Sequence, residues 1–177
     1  MRILATVAIV ALALLTAACG FQLRGQAKLP FDTLYVAIPE NSPLAIELKR
    51  NIIAGTDTKI VDAPAKAQAI LELMSEERSK SILSFDASGR VREYQLHYRI
   101  SFRVRDAKGR DYLAQSEIGL SRDISFNDAQ VLSKESEEQL LYRDMQSDMV
   151  QQILRRLAAA PAQPISFESK AGDAAAR

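Results

Sequence analysis

The chain has 177 residues, of which 47% are hydrophobic, 25% are charged and 6% are aromatic. Its 23 Lys and Arg residues and 22 Asp and Glu residues give a formal net charge of +1, which argues against a nucleic-acid partner because such binding requires a strong basic excess. One Cys and one His exclude an internal disulfide and metal sites built from several Cys or His ligands. The length predicts a single domain.

Residues 1–18 have the composition of a secretory signal peptide. Arg2 precedes a charge-free run of 16 residues that ends at Ala18, which is shorter than the roughly 20 residues of a membrane-spanning helix. Small residues stand directly before Cys19, as in a bacterial lipobox, although Leu15 lies one position further from the Cys than is usual. We predict cleavage before Cys19 and lipidation of this residue; a plain signal peptide with an incidental Cys is the alternative. Gly20, rather than Asp, resembles the second residue of lipoproteins that are sent to the outer membrane.

Residues 19–32 are expected to form a lipidated tether that leads to the first regular elements. The apolar run at residues 33–38 predicts a strand that is covered on both faces. Ser42 followed by Pro43 predicts a helix start, and Gly55 predicts the C-terminal cap of that helix. The apolar face of this helix consists of Leu44, Leu48 and Ile52.

Three further strands are predicted, with turn-forming residues between them. The alternation of residues 69–73 returns at Leu83 and Phe85 with the same parity, so one long strand could run through the polar stretch between them. Period-two alternation over residues 93–105 predicts a half-buried antiparallel strand about 40 Å long, at roughly 3.3 Å per residue. Weaker alternation follows at residues 112–120.

The last predicted element is a helix. Residues 136–139, Ser-Glu-Glu-Gln, match a capping box, and apolar residues at spacings of three and four from Tyr142 to Leu157 mark one face. Residues 127–134 could be an additional helical turn or a loop. Residues 161–177 show no period and are expected to form a disordered tail.

The order strand, helix, strand, strand, strand, helix predicts an α+β fold for residues 33–160. We expect two amphipathic helices packed on one face of a four-stranded mixed, mainly antiparallel sheet. The first strand reaches the second through a helix, so these two strands are expected to be parallel.

The sequence contains no catalytic constellation. A nucleophile elbow and a phosphate-binding loop are both missing, and the acidic pairs stand in polar segments that offer no apolar pocket for acid catalysis. His97 falls on the polar face of the long strand and is interpreted as a surface residue. We therefore predict no enzyme, no catalytic residue, no metal and no cofactor.

Basic residues cluster on and beside the long strand. Their guanidinium groups suit bidentate contact with phosphate or carboxylate, so a surface for an anionic partner such as a phosphorylated lipid is one interpretation. The favoured interpretation is a solvated face balanced by Glu93 and Glu117. The cluster consists of Arg90, Arg92, Arg99, Arg103 and Arg105.

Several short segments resemble the LptE family of lipopolysaccharide-assembly lipoproteins. They are Cys19-Gly20-Phe21-Gln22-Leu23-Arg24-Gly25, Leu29-Pro30, Arg92-Glu93-Tyr94-Gln95, Leu132-Ser133-Lys134-Glu135 with Gln139, and Gln152-Ile153-Leu154-Arg155-Arg156-Leu157. The resemblance implies two helices on a four-stranded sheet, as predicted above. It also implies an outer-membrane lipoprotein that plugs and helps to assemble the β-barrel LptD, binds lipopolysaccharide and supports its delivery to the cell surface. An unrelated lipid-anchored periplasmic scaffold protein that bridges envelope components is the alternative.

The resemblance attributes lipopolysaccharide binding to basic residues. Lys134 matches one of them, and we expect it to be exposed. A second one follows a Phe at the tip of the hairpin between the second and third strands, but here Phe85 is followed by Asp86. Arg90 and Arg92 are therefore the candidates at that hairpin. The implied location is the periplasmic side of the outer membrane, within the barrel lumen.

Overall fold

A mixed sheet organises the molecule, and its strands are β1 (Thr33–Ala37), β2 (Lys59–Ile60), β3 (Ala69–Phe85), β4 (Val91–Arg105) and β5 (Asp111–Ser125). The strand order is β2-β1-β3-β4-β5 in the computed structural model, which describes residues 28–127 and 130–165. β1 is parallel to both β2 and β3, whereas β3, β4 and β5 form an antiparallel meander. Cys19, the predicted signal peptide and most of the predicted tail lie outside the described residues.

The predicted α+β class is confirmed, as is the parallel pairing across the first helix, but the sheet has five strands where four were predicted. The additional strand is β2, which is two residues long and therefore too short to show a period in the sequence. Tertiary hydrogen bonds form it: the Lys59 N–H donates to the Asp32 carbonyl at 2.9 Å, and the Val61 N–H donates to the Leu34 carbonyl at 3.0 Å.

The first helix, α1 (Pro43–Gly55), begins as predicted but ends differently. The Ser42 hydroxyl accepts a hydrogen bond from the Ala45 N–H at 3.5 Å. The cap at the other end is Thr56, not Gly55, because the Thr56 N–H and hydroxyl both donate to the Ile52 carbonyl, at 3.0 and 2.8 Å. Because Thr56 caps the helix in an extended conformation, Gly55 does not adopt the left-handed conformation of a glycine cap.

The second helix, α2 (Val131–Ala158), is 28 residues long and begins well before the predicted capping box. Its N-terminal cap residue is Gln130, and the Ser136 hydroxyl donates to the Leu132 carbonyl one turn back, at 3.2 Å, instead of capping the helix. The predicted start was wrong because Ser, Glu and Gln fit a solvated helix surface as well as a cap. Residues 127–134 were predicted as either a helical turn or a loop, and those from Val131 onward are helical.

Both helices cover the same face of the sheet, and the apolar core between them and this face extends from the β1–β3 pairing to Leu96 of β4 and Ile124 of β5. The core side chains of the helices are at most 1% exposed, and burying each contributes about 1.5–3 kcal/mol. These residues are Leu44, Leu48 and Ile52 of α1 and Met145, Met149, Ile153 and Leu157 of α2.

The character of β3 changes along its length. The predicted continuous strand is confirmed, but its pairing with β4 skips Met74 and Leu83, so a β-bulge at each position shifts the alternation by one residue. Before the first bulge, Leu71 and Leu73 face the helices. After it, the residues opposite the inward-facing side chains of β4 are charged: Glu76, Arg78 and Lys80.

Candidate functional site

A polar seam joins the far half of β3 to α2. It consists of Glu76, Arg78 and Lys80 of β3, Tyr98 of β4, and Glu138, Tyr142 and Gln146 of α2. The Arg78 guanidinium donates to Gln146 Oε1 at 3.0 Å and to the Tyr98 hydroxyl at 3.3 Å. The Tyr98 hydroxyl donates to Glu76 Oε1 at 2.7 Å. Burial, with a further contribution from Glu76, raises the pKa of the Tyr98 hydroxyl, so this group remains a neutral donor.

Two lysines lie at the outer end of the polar seam, and each is held by a carboxylate of α2. Lys80 Nζ lies 2.7 Å from Glu138 Oε2. Lys134 Nζ lies 2.7 Å from Glu137 Oε2 and donates to the Ser125 hydroxyl at 2.9 Å. The hydrogen bond to Glu138 raises the pKa of the Lys80 ammonium against the opposing effect of desolvation.

These two lysines line a cleft of about 90 Å³ between α2 and the adjacent ends of β4 and β5, here called the lysine cleft. Its wall is partly aromatic: Lys80 Nζ lies 5.0 Å from the ring centroid of Tyr94, which packs edge to face against Phe126 at 5.3 Å. Exposed apolar side chains continue from the cleft, since Ile82 pairs with Tyr94 and Leu132 follows the lining residue Val131. The cleft can therefore offer donors to an anion and apolar surface to a neighbouring chain of carbon atoms.

The structure places Lys134 inside the lysine cleft, whereas Arg90 and Arg92 do not line it. The Lys134 side chain is 18% exposed, so the expectation that it would be exposed was wrong. Its ammonium is covered because the early start of α2 brings it beneath the end of β5. Arg92 is exposed in a β-bulge of β4, and its carbonyl accepts a hydrogen bond from the Phe126 N–H at 2.8 Å.

Arg90 belongs to a turn motif that occurs twice. The Arg90 guanidinium contacts Asp86 Oδ2 at 2.9 Å across the β3–β4 turn, and the Arg110 guanidinium contacts Asp106 Oδ2 at 2.7 Å across the β4–β5 turn. In each turn the other aspartate oxygen accepts two backbone N–H groups, and a glycine has a positive φ, 78° at Gly89 and 83° at Gly109. This repetition indicates that Arg90 contributes to the turn itself.

Lys80 is a cleft residue that the sequence did not reveal. It lies in a stretch where both faces of β3 are polar, so alternation could not show which side chains face the helices. The bulge at Met74 then inverts the parity set by Leu71 and Leu73. Glu76, Arg78 and Lys80 alternate with polar residues in the sequence, which leaves their face undecided. Their pairing with Ile100, Tyr98 and Leu96 of β4 places all three on the side of the helices.

The arginines predicted on the polar face of β4 are largely paired within the molecule. Arg99 Nε lies 2.9 Å from Glu117, as the balanced alternative expected. Arg103 and Arg105 both bind Glu72, each at 2.6 Å. Glu93 instead accepts a hydrogen bond from the Ser84 hydroxyl at 2.6 Å, and His97 Nε2 lies 3.0 Å from the Ser81 hydroxyl on the same face.

Residues 28–127 and 130–165 contain no group of three or more His, Cys, Asp and Glu side chains placed to hold a metal ion. Neither helix within these residues combines the length and apolar character needed to cross a membrane.

The fold and the lysine cleft define a small α+β domain with a long open sheet and a partly apolar, lysine-bearing site at one end. The family model of LptE, described as lipopolysaccharide-assembly, matches residues 31–157. The chain belongs to this family, and the resemblance found in its short sequence segments is confirmed.

Relatives and solved structures agree with this assignment. The chain is 27% identical over 163 residues to the LPS-assembly lipoprotein LptE of Yersinia pestis (strain Pestoides F), covering 90% of this chain and 78% of that protein. It is similar to the solution NMR structure of lipoprotein B from Nitrosomonas europaea, with a TM-score of 0.69, 42% identity and coverage of 79% of this chain and 91% of that one. The crystal structure of rare lipoprotein B from Shewanella oneidensis gives a TM-score of 0.63, 26% identity and coverages of 72% and 94%.

Proposed function

We propose that this chain is a non-catalytic outer-membrane lipoprotein of lipopolysaccharide assembly. It plugs and helps to assemble an LptD-type β-barrel, binds lipopolysaccharide and supports its delivery to the cell surface. Acyl chains on Cys19 anchor it to the periplasmic side of the outer membrane, and the domain occupies the barrel lumen. Membership of the LptE family over residues 31–157 is the observation that supports this role.

The lysine cleft is the proposed contact with lipopolysaccharide. That ligand presents phosphate groups close to acyl chains, and the cleft presents ammonium groups close to apolar side chains. Lys80 and Lys134 supply charge-assisted hydrogen bonds to phosphate, while Tyr94 and Ile82 supply the adjacent apolar surface. Arg90 and Arg92, at the hairpin on the same end of the sheet, are secondary candidates.

The change Lys134→Asp tests the binding function. We expect binding of lipopolysaccharide to weaken by at least about tenfold, because a hydrogen bond to a charged group is worth roughly 1.5–3 kcal/mol. Lys108→Asp is the matched control, since Lys108 lies in the β4–β5 turn at the opposite end of the sheet. Unaltered binding in a folded Lys134→Asp protein would assign this lysine a purely local role.

Copurification from detergent-extracted outer membranes tests the partner. The expected result is a β-barrel protein bound to this chain, together with loss of surface lipopolysaccharide when the chain is depleted. A solitary protein whose depletion leaves surface lipopolysaccharide unchanged would favour the alternative of a periplasmic scaffold protein.

A further inference from the structure

The lysine cleft does not present free positive charge. Glu138 binds the ammonium of Lys80, and Glu137 binds that of Lys134, both at 2.7 Å. Glu135 and Glu138 line the cleft, and Glu137 stands beside it through its ion pair with Lys134, so three carboxylates accompany two ammonium groups. A phosphate that enters must compete with groups of the protein that already occupy both lysines.

We propose that Glu137 and Glu138 are placeholders for the phosphate groups of the ligand, and that a phosphate-bearing lipid binds by displacing them from Lys134 and Lys80. This inference rests on the proposed binding of lipopolysaccharide and adds the means by which weaker anions are kept from the two lysines.

The placement of the two carboxylates suits such an exchange. Both belong to exposed stretches of α2, and the Glu137 and Glu138 side chains are 46% and 26% exposed, so each can turn toward water without opening the core. Both ion pairs are partly open to water, which competes for their partners, so each pair contributes little. A phosphate monoester carries up to two negative charges and three acceptor oxygens, so it binds an ammonium group more strongly than a carboxylate does.

The lysines, in contrast, are held in position when the carboxylates leave. Lys134 keeps its hydrogen bond to the Ser125 hydroxyl at 2.9 Å, and Lys80 keeps its place 5.0 Å from the Tyr94 ring centroid. The ammonium groups are therefore already oriented for the incoming phosphate, which lowers the cost of ordering them on binding.

Substitutions that remove only the carboxylate charges test the proposal. The full-length proteins Glu137→Gln and Glu138→Gln are titrated with lipid A that carries two phosphate groups, in detergent micelles. We expect each to bind about twofold to fivefold more tightly than the unchanged protein, the range set by the strength of an exposed ion pair. Glu135→Gln is the matched control, since Glu135 lines the same cleft but forms no ion pair with the described residues, and its gain should be smaller.

Lipid A stripped of its phosphates completes the experiment, and none of the variants should gain affinity for it. Unchanged or weaker binding of diphosphorylated lipid A by folded Glu137→Gln and Glu138→Gln overturns the placeholder role, and so does an equal gain in Glu135→Gln or with the stripped lipid. If one variant fails to fold, the other decides. Loss of binding in Lys134→Asp without a gain in the glutamine variants rejects the placeholders alone, whereas absence of binding in every protein rejects the binding function as well.

Discussion

Glu72 illustrates how single charged residues are used in this domain. It stands on the face of the sheet opposite the helices and binds Arg103 and Arg105, each at 2.6 Å. The hydrogen bond from Arg105, supported by that from Arg103, lowers the pKa of the Glu72 carboxyl in spite of partial burial. Two of the arginines that looked like a surface for anions in the sequence, Arg103 and Arg105, are thus engaged in holding β3 to β4.

This pKa shift predicts a pH dependence of stability. The folded-state pKa lies below the ordinary value of 4.5, so the stabilisation is complete above pH 4.5 and is lost as pH falls through the folded-state pKa. Glu72→Gln should lower the free energy of unfolding by about 1–2 kcal/mol at pH 7. Urea unfolding of both proteins should show the difference shrinking at pH 3; a difference that is the same at both pH values would contradict this assignment.

At the scale of the element, α2 is attached to the sheet in two different ways. Its C-terminal half buries Met145, Met149, Ile153 and Leu157 in the core. Its N-terminal half is attached mainly by polar contacts, among them Lys80 with Glu138 at 2.7 Å and the Tyr142 hydroxyl with the Ser79 carbonyl at 2.8 Å. An exposed ion pair contributes about 0–1 kcal/mol, against about 1.5–3 kcal/mol for a buried apolar side chain. The N-terminal half is therefore held less firmly.

Hydrogen exchange should report this difference directly. We expect the amides of residues 135–141 to exchange faster than those of residues 149–157, because Leu141 is the only side chain of the first segment that packs against the core. Lys80→Met should accelerate exchange in the first segment only. Asp148→Asn, which breaks the Arg122–Asp148 pair of the same 2.7 Å length, is the control and should leave that segment unchanged. Uniform protection along α2 would show that the polar contacts hold as well as the core does.

At the scale of the whole molecule, the centre of the apolar core and the proposed binding site are separated along one sheet. The apolar cluster joins α1, the second half of α2, β1 and parts of β3, β4 and β5, and its member Ile124 also lines the lysine cleft. The cleft itself lies beyond the polar seam, where Phe85 and Leu132 are exposed apolar side chains. A ligand at the cleft therefore meets only the margin of the core.

This separation predicts unequal effects of the same truncation along α2. Ile153→Ala should cost about 2–5 kcal/mol, because Ile153 is 1% exposed and its loss leaves a cavity. Leu140→Ala should change stability by less than about 0.5 kcal/mol, because Leu140 is 50% exposed. Thermal unfolding should follow a single transition in both proteins, since one cluster joins the two helices to the sheet. A large loss of stability in Leu140→Ala would place a second core at the cleft end.

The sequence by itself determined the features that depend on local burial and local hydrogen bonding. The alternation along β4 followed from its half-buried position, and Ser42 with Pro43 marked the start of α1 because the cap is formed within one turn. Lys134 was singled out through the family resemblance, and the structure places it in the cleft.

Tertiary structure alone decided the rest. β2 exists because backbone groups beside β1 bind it, α2 starts at Val131 rather than at Ser136, and the bulge at Met74 turns Lys80 toward the helices. β2 and the bulge are settled by pairing between segments that are distant in the chain, whereas a period in the sequence records only how neighbouring residues alternate between core and solvent. The helix start was hidden because Ser, Glu and Gln fit a solvated helix surface as well as a cap. The lysine cleft, which requires β3, β5 and α2 together, could therefore be recognised only in the folded molecule.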